Sequence, residues 1–272
     1  MDAVTRSRSG FIEVDGCRLH LLRGGAGAPL LFLHGASGGG AWLPFMEDLA
    51  RDFDVLAPEH PGFGLSDDPP WLDGVADLAY FYLDVIAQLG LEGVHLVGTS
   101  LGGWLAAEMA VRNTARIRSV TLVCAVGILA DGAPIEDVFR LAPEEHLRRF
   151  CHGEANRAAR RRQLAEADPV LQGRNRATVA RLGWRPRFHN PDLHKWLHRI
   201  DRPAQLIWGE SDLIVPIRFG EAYRRHLPDA ELVVLPETGH APYVEAPALF
   251  ADTLRRFLLT QGGPAAAADY IP

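Results

Sequence analysis

Ser100 lies in the run His95-Leu96-Val97-Gly98-Thr99-Ser100-Leu101-Gly102-Gly103, a G-x-S-x-G set where an apolar strand pattern gives way to a helical one. Glycines on both sides let the backbone turn sharply and hold the hydroxyl clear of the sheet, and the helix N-terminus favours negative charge beside it. That placement suits a nucleophile, although a serine there could also simply cap the helix. A neutral hydroxyl attacks poorly near pH 7, so it needs a base to take its proton and an acid to orient that base. Asp212, in Trp208-Gly209-Glu210-Ser211-Asp212, and His240, in Thr238-Gly239-His240-Ala241-Pro242, supply those types in the chain order Ser, Asp, His of one known triad arrangement. Glu210, Glu237 and Asp131 compete for the acid's part, and Asp212 is preferred. Acyl transfer also develops an oxyanion that requires fixed N–H donors. Leu101, after the nucleophile, is one candidate. Ala36, in the glycine-rich loop Leu33-His34-Gly35-Ala36-Ser37-Gly38-Gly39-Gly40, is the other. His34 reads as a brace for that loop rather than a second base.

Elements must bring these residues together. Strand patterns fall at 11–14, 18–22, 29–33, 54–57, 94–97, 119–124, 204–208 and 231–235, and helical periodicity at 42–51, 74–89, 101–112, 217–227 and 246–259. The alternation predicts an α/β fold, with eight strands in a mostly parallel sheet flanked by helices. Asp15-Gly16 predicts an antiparallel hairpin between the first two strands. The loops holding Ser100, Asp212 and His240 would all open at the carboxyl edge of the sheet, where open α/β sheets bind ligands. Strand patterns stop between Gly127 and Arg202, and residues 127–202 read as a helical insertion whose arginines form a solvated face. Residues 1–126 and 203–261 make the core, and 262–272 read as a loose tail.

The 272 residues carry 28 Lys+Arg against 34 Asp+Glu, a net charge of -6, which disfavours nucleic acid and polybasic membrane contact. No apolar run reaches the roughly 20 residues of a membrane span, and the charged start is unlike a secretory signal, so the expected compartment is the cytoplasm. Cys17, Cys124 and Cys151 are widely spaced, odd in number and expected to be free thiols. His194 and His198 lack the Glu of H-E-x-x-H, so no metal is expected. The lysine of a P-loop is absent from the glycine-rich loop, which disfavours a phosphate cradle; no cofactor is expected and the partner is a small-molecule substrate.

His34-Gly35, His60-Pro61-Gly62-Phe63-Gly64-Leu65-Ser66-Asp67, the Ser100 turn, Trp208-Gly209 through Pro216, and Gly239-His240 together resemble the α/β-hydrolase fold superfamily over most of the chain outside the insertion. The resemblance implies an eight-stranded core, a helical cap at about 127–202 and a Ser100-Asp212-His240 triad beneath it. Serine at the turn separates this chain from the haloalkane dehalogenase and epoxide hydrolase branches, which use a carboxylate nucleophile. A serine hydrolase acting on a small carboxylic ester, lactone or thioester is the first expectation. Carbon–carbon hydrolysis, as in the meta-cleavage-product hydrolases, is the second, although Ala241-Pro242-Tyr243 departs from the Trp often found near there in that family. A slow-turnover binding or receptor protein, or a lyase or oxygenase using His240 alone, remain as alternatives on the same fold. Trp42, Phe63, Trp104, Phe139, Trp184 and Tyr243 are candidate pocket residues, with plain core packing as the competing role. His60 occupies a position where related chains often carry an acidic or other polar residue, and its role is left open.

Overall fold

Residues 7–131 and 135–261 are described here, from a computed structural model; the 262–272 tail expectation lies outside them. Eight strands form one sheet: β1 (Arg8–Val14), β2 (Cys17–Gly24), β3 (Ala28–Leu33), β4 (Phe53–Pro58), β5 (Val94–Thr99), β6 (Ile117–Val123), β7 (Ala204–Gly209) and β8 (Ala230–Leu235). Their spatial order is β1-β2-β4-β3-β5-β6-β7-β8. All neighbouring pairs from β4 to β8 are parallel, while β2 is antiparallel to both its neighbours. The expected hairpin is present. Val14 pairs with Cys17, and Asp15 and Gly16 both take positive φ, 48° and 74°, as a two-residue turn matched to strand twist requires.

Strands β5 and β7 are buried at every position, consistent with their near-continuous apolar sequences. The chain between strands supplies α1 (Pro44–Leu49), α2 (Val75–Gln88), α3 (Leu101–Arg112), α4 (Pro143–Phe150), α5 (Gly153–Glu166), α6 (Pro169–Gly183), α7 (Leu193–Trp196) and α8 (Arg218–His226), and α9 (Pro242–Glu245) and α10 (Pro247–Thr260) follow β8. Helix α2 packs on α3, which lies against β5 and β6, while α1 packs on α10. Phe45 of α1 joins Phe32 of β3 to Phe250 of α10 through edge-to-face ring contacts at 5.1 and 5.2 Å. Among the described residues, no helix is long and apolar enough to cross a membrane.

Helices α4, α5 and α6 fall between β6 and β7, in the stretch expected to be helical. Each is tied to a different loop at the carboxyl edge. The carbonyl of Phe150, ending α4, accepts from His240 N–H at 2.7 Å. On α5, Arg160 donates to Ser37 Oγ at 2.7 Å. On α6, Asn175 accepts from Gly64 N–H at 3.0 Å and Thr178 donates to the Gly62 carbonyl at 2.7 Å. These attachments tie α4, α5 and α6 to the His240 loop, the Ser37 loop and the Gly62–Gly64 segment at that edge.

Candidate active site

Ser100 directly follows β5 and precedes α3 with φ 53° and ψ -112°, a conformation that costs a non-glycine residue about 1–3 kcal/mol and must be imposed by its surroundings. They do impose it. Ser100 N–H donates to Val123 of β6 at 2.8 Å, and its carbonyl accepts from Trp104 and Val126. A Cβ at Gly98 would overlap the Gly102 carbonyl, and one at Gly102 would overlap the carbonyls of Leu33 and His34. Both glycines of the motif are therefore required for backbone to pass against backbone, which brings α3 close to β3 and its following loop. The Ser100 side chain makes no helix-capping bond. Its Oγ lies 2.9 Å from His240 Nε2 instead.

His240 Nδ1 lies 2.8 Å from Asp212 Oδ2. The other carboxylate oxygen, Oδ1, accepts from Ile214 and Val215 N–H, each at 2.9 Å. One side chain thus closes its own loop and orients the imidazole. With Nδ1–H turned toward the carboxylate, Nε2 presents its lone pair to the serine. The Asp212 and His240 loops interlock: a Cβ at Gly209 would overlap the Gly239 carbonyl, and Ser211 N–H donates to Thr238. The competing acids lie elsewhere. Glu210 accepts from Glu237 N–H, and Asp131 is exposed and paired with Arg225.

Cys124 follows β6 with φ 44° and is buried beside this line, its Sγ within 4.8 Å of the Asp212 and His240 donor atoms. Burial, then the Asp212 charge, pushes the thiol well up. A thiol so disposed resists becoming the thiolate that a metal ligand or second nucleophile requires.

The Ala36 loop is set by a histidine pair. His34 Nε2 accepts from His60 N–H at 2.9 Å, so its proton is on Nδ1, which donates to the Gly35 carbonyl at 2.7 Å. A trans peptide directs its N–H opposite to its carbonyl, so turning the Gly35 carbonyl onto His34 turns Ala36 N–H the other way. Gly35 itself lies against Ser100, where an added Cβ would come 3.2 Å from the Ser100 Cβ. His60 Nε2–H donates to the His34 carbonyl at 3.0 Å, and its Nδ1 accepts from Tyr82 at 2.7 Å. The two rings stack at 3.8 Å, and Phe63 meets both edge-on. Burial pushes His34 down to about 4 and His60 well below its usual range, so both remain neutral near pH 7. His34 is thus a brace, and His60, left open by the sequence, holds that brace.

Glu245 carries no signal in the sequence yet is central to the His240 loop. Its carboxylate accepts from Gly239 N–H at 3.0 Å and Ala241 N–H at 3.3 Å, on either side of His240, and from His152 N–H at 2.8 Å. Burial raises its pKa while those N–H donors pull it down. Phe150 packs its ring on His240 at 5.1 Å.

The six aromatic candidates separate. Tyr243 packs among Phe32, Phe45 and Phe250, three residues beyond His240. Phe63 is fully buried against the His34–His60 pair. Trp104 is buried on α3, donating to Glu108 at 2.9 Å. Trp42 lies over Gly24 of β2 and donates to Glu47 at 2.8 Å. Phe139 and Trp184 form a cluster with Phe188, and the Arg187 guanidinium lies over both rings. No ring contact among the described residues joins Trp42, Trp104, Phe139 or Trp184 to His240, whereas Phe150, missed in the sequence, has one.

The family model described as the alpha/beta hydrolase family matches residues 30–253. The chain is 27% identical over 247 residues to a pimeloyl-[acyl-carrier protein] methyl ester esterase of Nitrosomonas europaea, covering 85% of this chain and 96% of the relative. It is 26% identical over 280 residues to a 2-hydroxymuconate semialdehyde hydrolase of Pseudomonas sp. (strain CF600), covering 91% and 92%. Among solved structures, a membrane phospholipase A superposes with a TM-score of 0.79 at 26% identity, covering 95% of this chain and 87% of that one. With the match spanning more than half of its length and the eight-stranded sheet in place, the chain belongs to the alpha/beta hydrolase family and is an enzyme of that fold.

Proposed function

We propose that the protein is a serine hydrolase acting on a small carboxylic ester, lactone or thioester. The observation that carries the reading is the unbroken line from Asp212 Oδ2 through His240 to Ser100 Oγ, with spacings of 2.8 and 2.9 Å. His240 Nε2 takes the hydroxyl proton as Oγ attacks the acyl carbon, and Asp212 stabilises the imidazolium that forms. Ala36 and Leu101 N–H hold the oxyanion, one aimed by the His34 brace and the other at the first turn of α3. Collapse expels the leaving group, which takes the proton from His240. Water deprotonated by the same imidazole then attacks the acyl-enzyme, the Ser100 Oγ–acyl bond breaks to release the acid, and His240 returns its proton to Oγ. In this reading residues 127–202 are a cap over the site, and none of these steps needs a cofactor.

Short-chain nitrophenyl esters test it. Wild type should release a burst of nitrophenol equal to the enzyme concentration, and Ser100→Ala should abolish the burst and lower kcat/KM by about 10⁴-fold or more. An unchanged burst would refute the assignment. The similarity to a 2-hydroxymuconate semialdehyde hydrolase favours a second reading, carbon–carbon hydrolysis at the same residues. A dienoate substrate cleaved in preference to every ester and lactone tried would select it.

A further inference from the structure

The arginines of the inserted helices divide by partner. Arg148 and Arg149 pair with Glu145, Arg149 also with Glu136, Arg157 with Glu154, and Arg161 with Glu144 and Glu154. Arg160 pairs with no carboxylate among the described residues. Its guanidinium donates to two neutral oxygens, Gln163 Oε1 and Ser37 Oγ, each at 2.7 Å, and its buried Nε has no partner. The position matters as much as the missing partner. Ser37 follows Ala36, the proposed oxyanion donor, and the guanidinium also lies 5.4 Å over the Phe150 ring, which itself packs on His240. Arg160 therefore links the loop of the proposed oxyanion donor, through Ser37, to the Phe150 ring that packs on His240. His146, whose ring stacks on Phe150 at 5.4 Å, is pushed down to about 4, chiefly by burial and further by neighbouring positive charge that includes Arg160.

A half-buried guanidinium held by neutral oxygens keeps most of its charge available to an incoming anion, and its fork matches a carboxylate. Resting on the serine-hydrolase reading, we infer that Arg160 selects substrates carrying a carboxylate on the acyl portion, remote from the bond cleaved: half-esters of dicarboxylic acids, or their lactone or thioester equivalents. Hydrolysis of such a half-ester would yield the dicarboxylate dianion and the alcohol, with Arg160 still facing the carboxylate it selected.

Matched substrates test this. The monomethyl and dimethyl esters of C4 to C7 dicarboxylic acids differ at one end only, by a charge. Wild type should favour the monoanion in kcat/KM by about tenfold or more, through KM. Arg160→Gln should bring the ratio of monoanion to neutral ester close to one, Arg160→Lys should keep part of it, and added salt should reduce it in wild type. Calorimetry with Ser100→Ala provides a readout without turnover: the monomethyl ester should bind, and the Ser100→Ala/Arg160→Gln double variant should lose that binding. A wild-type preference for the neutral ester, or a ratio unchanged by Arg160→Gln, would overturn the inference while leaving the serine hydrolase standing. Absence of turnover of every ester, with the monoanion still bound through Arg160, would instead remove the hydrolase reading and keep the anion site.

Discussion

His60 shows what a side chain outside the proposed proton line contributes. Its ring ties Tyr82 on α2 to the His34 carbonyl, and its backbone N–H fixes the tautomer that points His34 Nδ1–H at Gly35. Replacing His60 with Phe keeps the backbone donor and the ring volume but leaves the buried Tyr82 hydroxyl unpaired, at a cost of about 1–3 kcal/mol. The predicted result is a lower urea midpoint together with a fall in kcat at nearly constant KM, because loop order matters most when the oxyanion forms. A variant with reduced stability and undiminished kcat would show that the pair serves folding alone. Ser100, Asp212 and His240 were legible because glycine spacing, strand ends and chain order are local features. The role of His60, the Glu245 clasp and the bridging position of Arg160 were not, since each depends on partners at least several residues, and usually tens of residues, away. The aromatic candidates failed to separate for the same reason: a tryptophan reads alike whether it packs over β2, as Trp42 does, or beside a site.

At the scale of elements, backbone clearance decides how α3 meets the sheet. Gly102→Ala would drive a methyl group into the Leu33 and His34 carbonyls, so the variant should lose several kcal/mol or fail to fold. Gly173, in the middle of α6, has open space where a Cβ would sit, and Gly173→Ala should raise stability by about 0.5–1 kcal/mol. Thermal denaturation of the pair measures both, and equal tolerance at the two positions would contradict the packing described. The short helix α9 acts differently, as a clasp on the loop before it. Glu245→Gln retains one acceptor oxygen where two now hold the Gly239, Ala241 and His152 donors, so His240 should wander and kcat/KM fall between about tenfold and a hundredfold. Single-turnover acylation would detect the loss directly, and an unaltered acylation rate would remove Glu245 from any positioning role. Element order was readable from alternating apolar runs, and α3 was located at its observed ends, 101–112. Other boundaries moved by one to three residues, as where β6 begins at Ile117 instead of 119, because pairing with Val94 of β5 extends the strand beyond its apolar core.

Over the whole molecule, buried neutral histidines make stability depend on pH. His34 and His95 are held at about 4, chiefly by burial, against 6.5 when free. Between those values the unfolded chain binds protons that the folded chain refuses, so stability is full above about pH 6.5 and drains as pH falls toward 4. The raised pKa of Glu245 works in the opposite direction and offsets part of the loss. Urea midpoints measured from pH 7.5 to 4.5 should therefore decline below 6.5 by an amount worth a few kcal/mol, and a flat profile would contradict the burial of these rings. The fold class was legible at this scale, while the relation of the inserted helices to the three carboxyl-edge loops emerged only from tertiary contacts. The most direct test of the account is to treat the protein with a fluorophosphonate and identify the modified peptide by mass spectrometry. One adduct is expected, on Ser100, formed rapidly in wild type and lost in His240→Ala. A stable adduct on any other residue, or labelling of Ser100 at the same rate without His240, would contradict it.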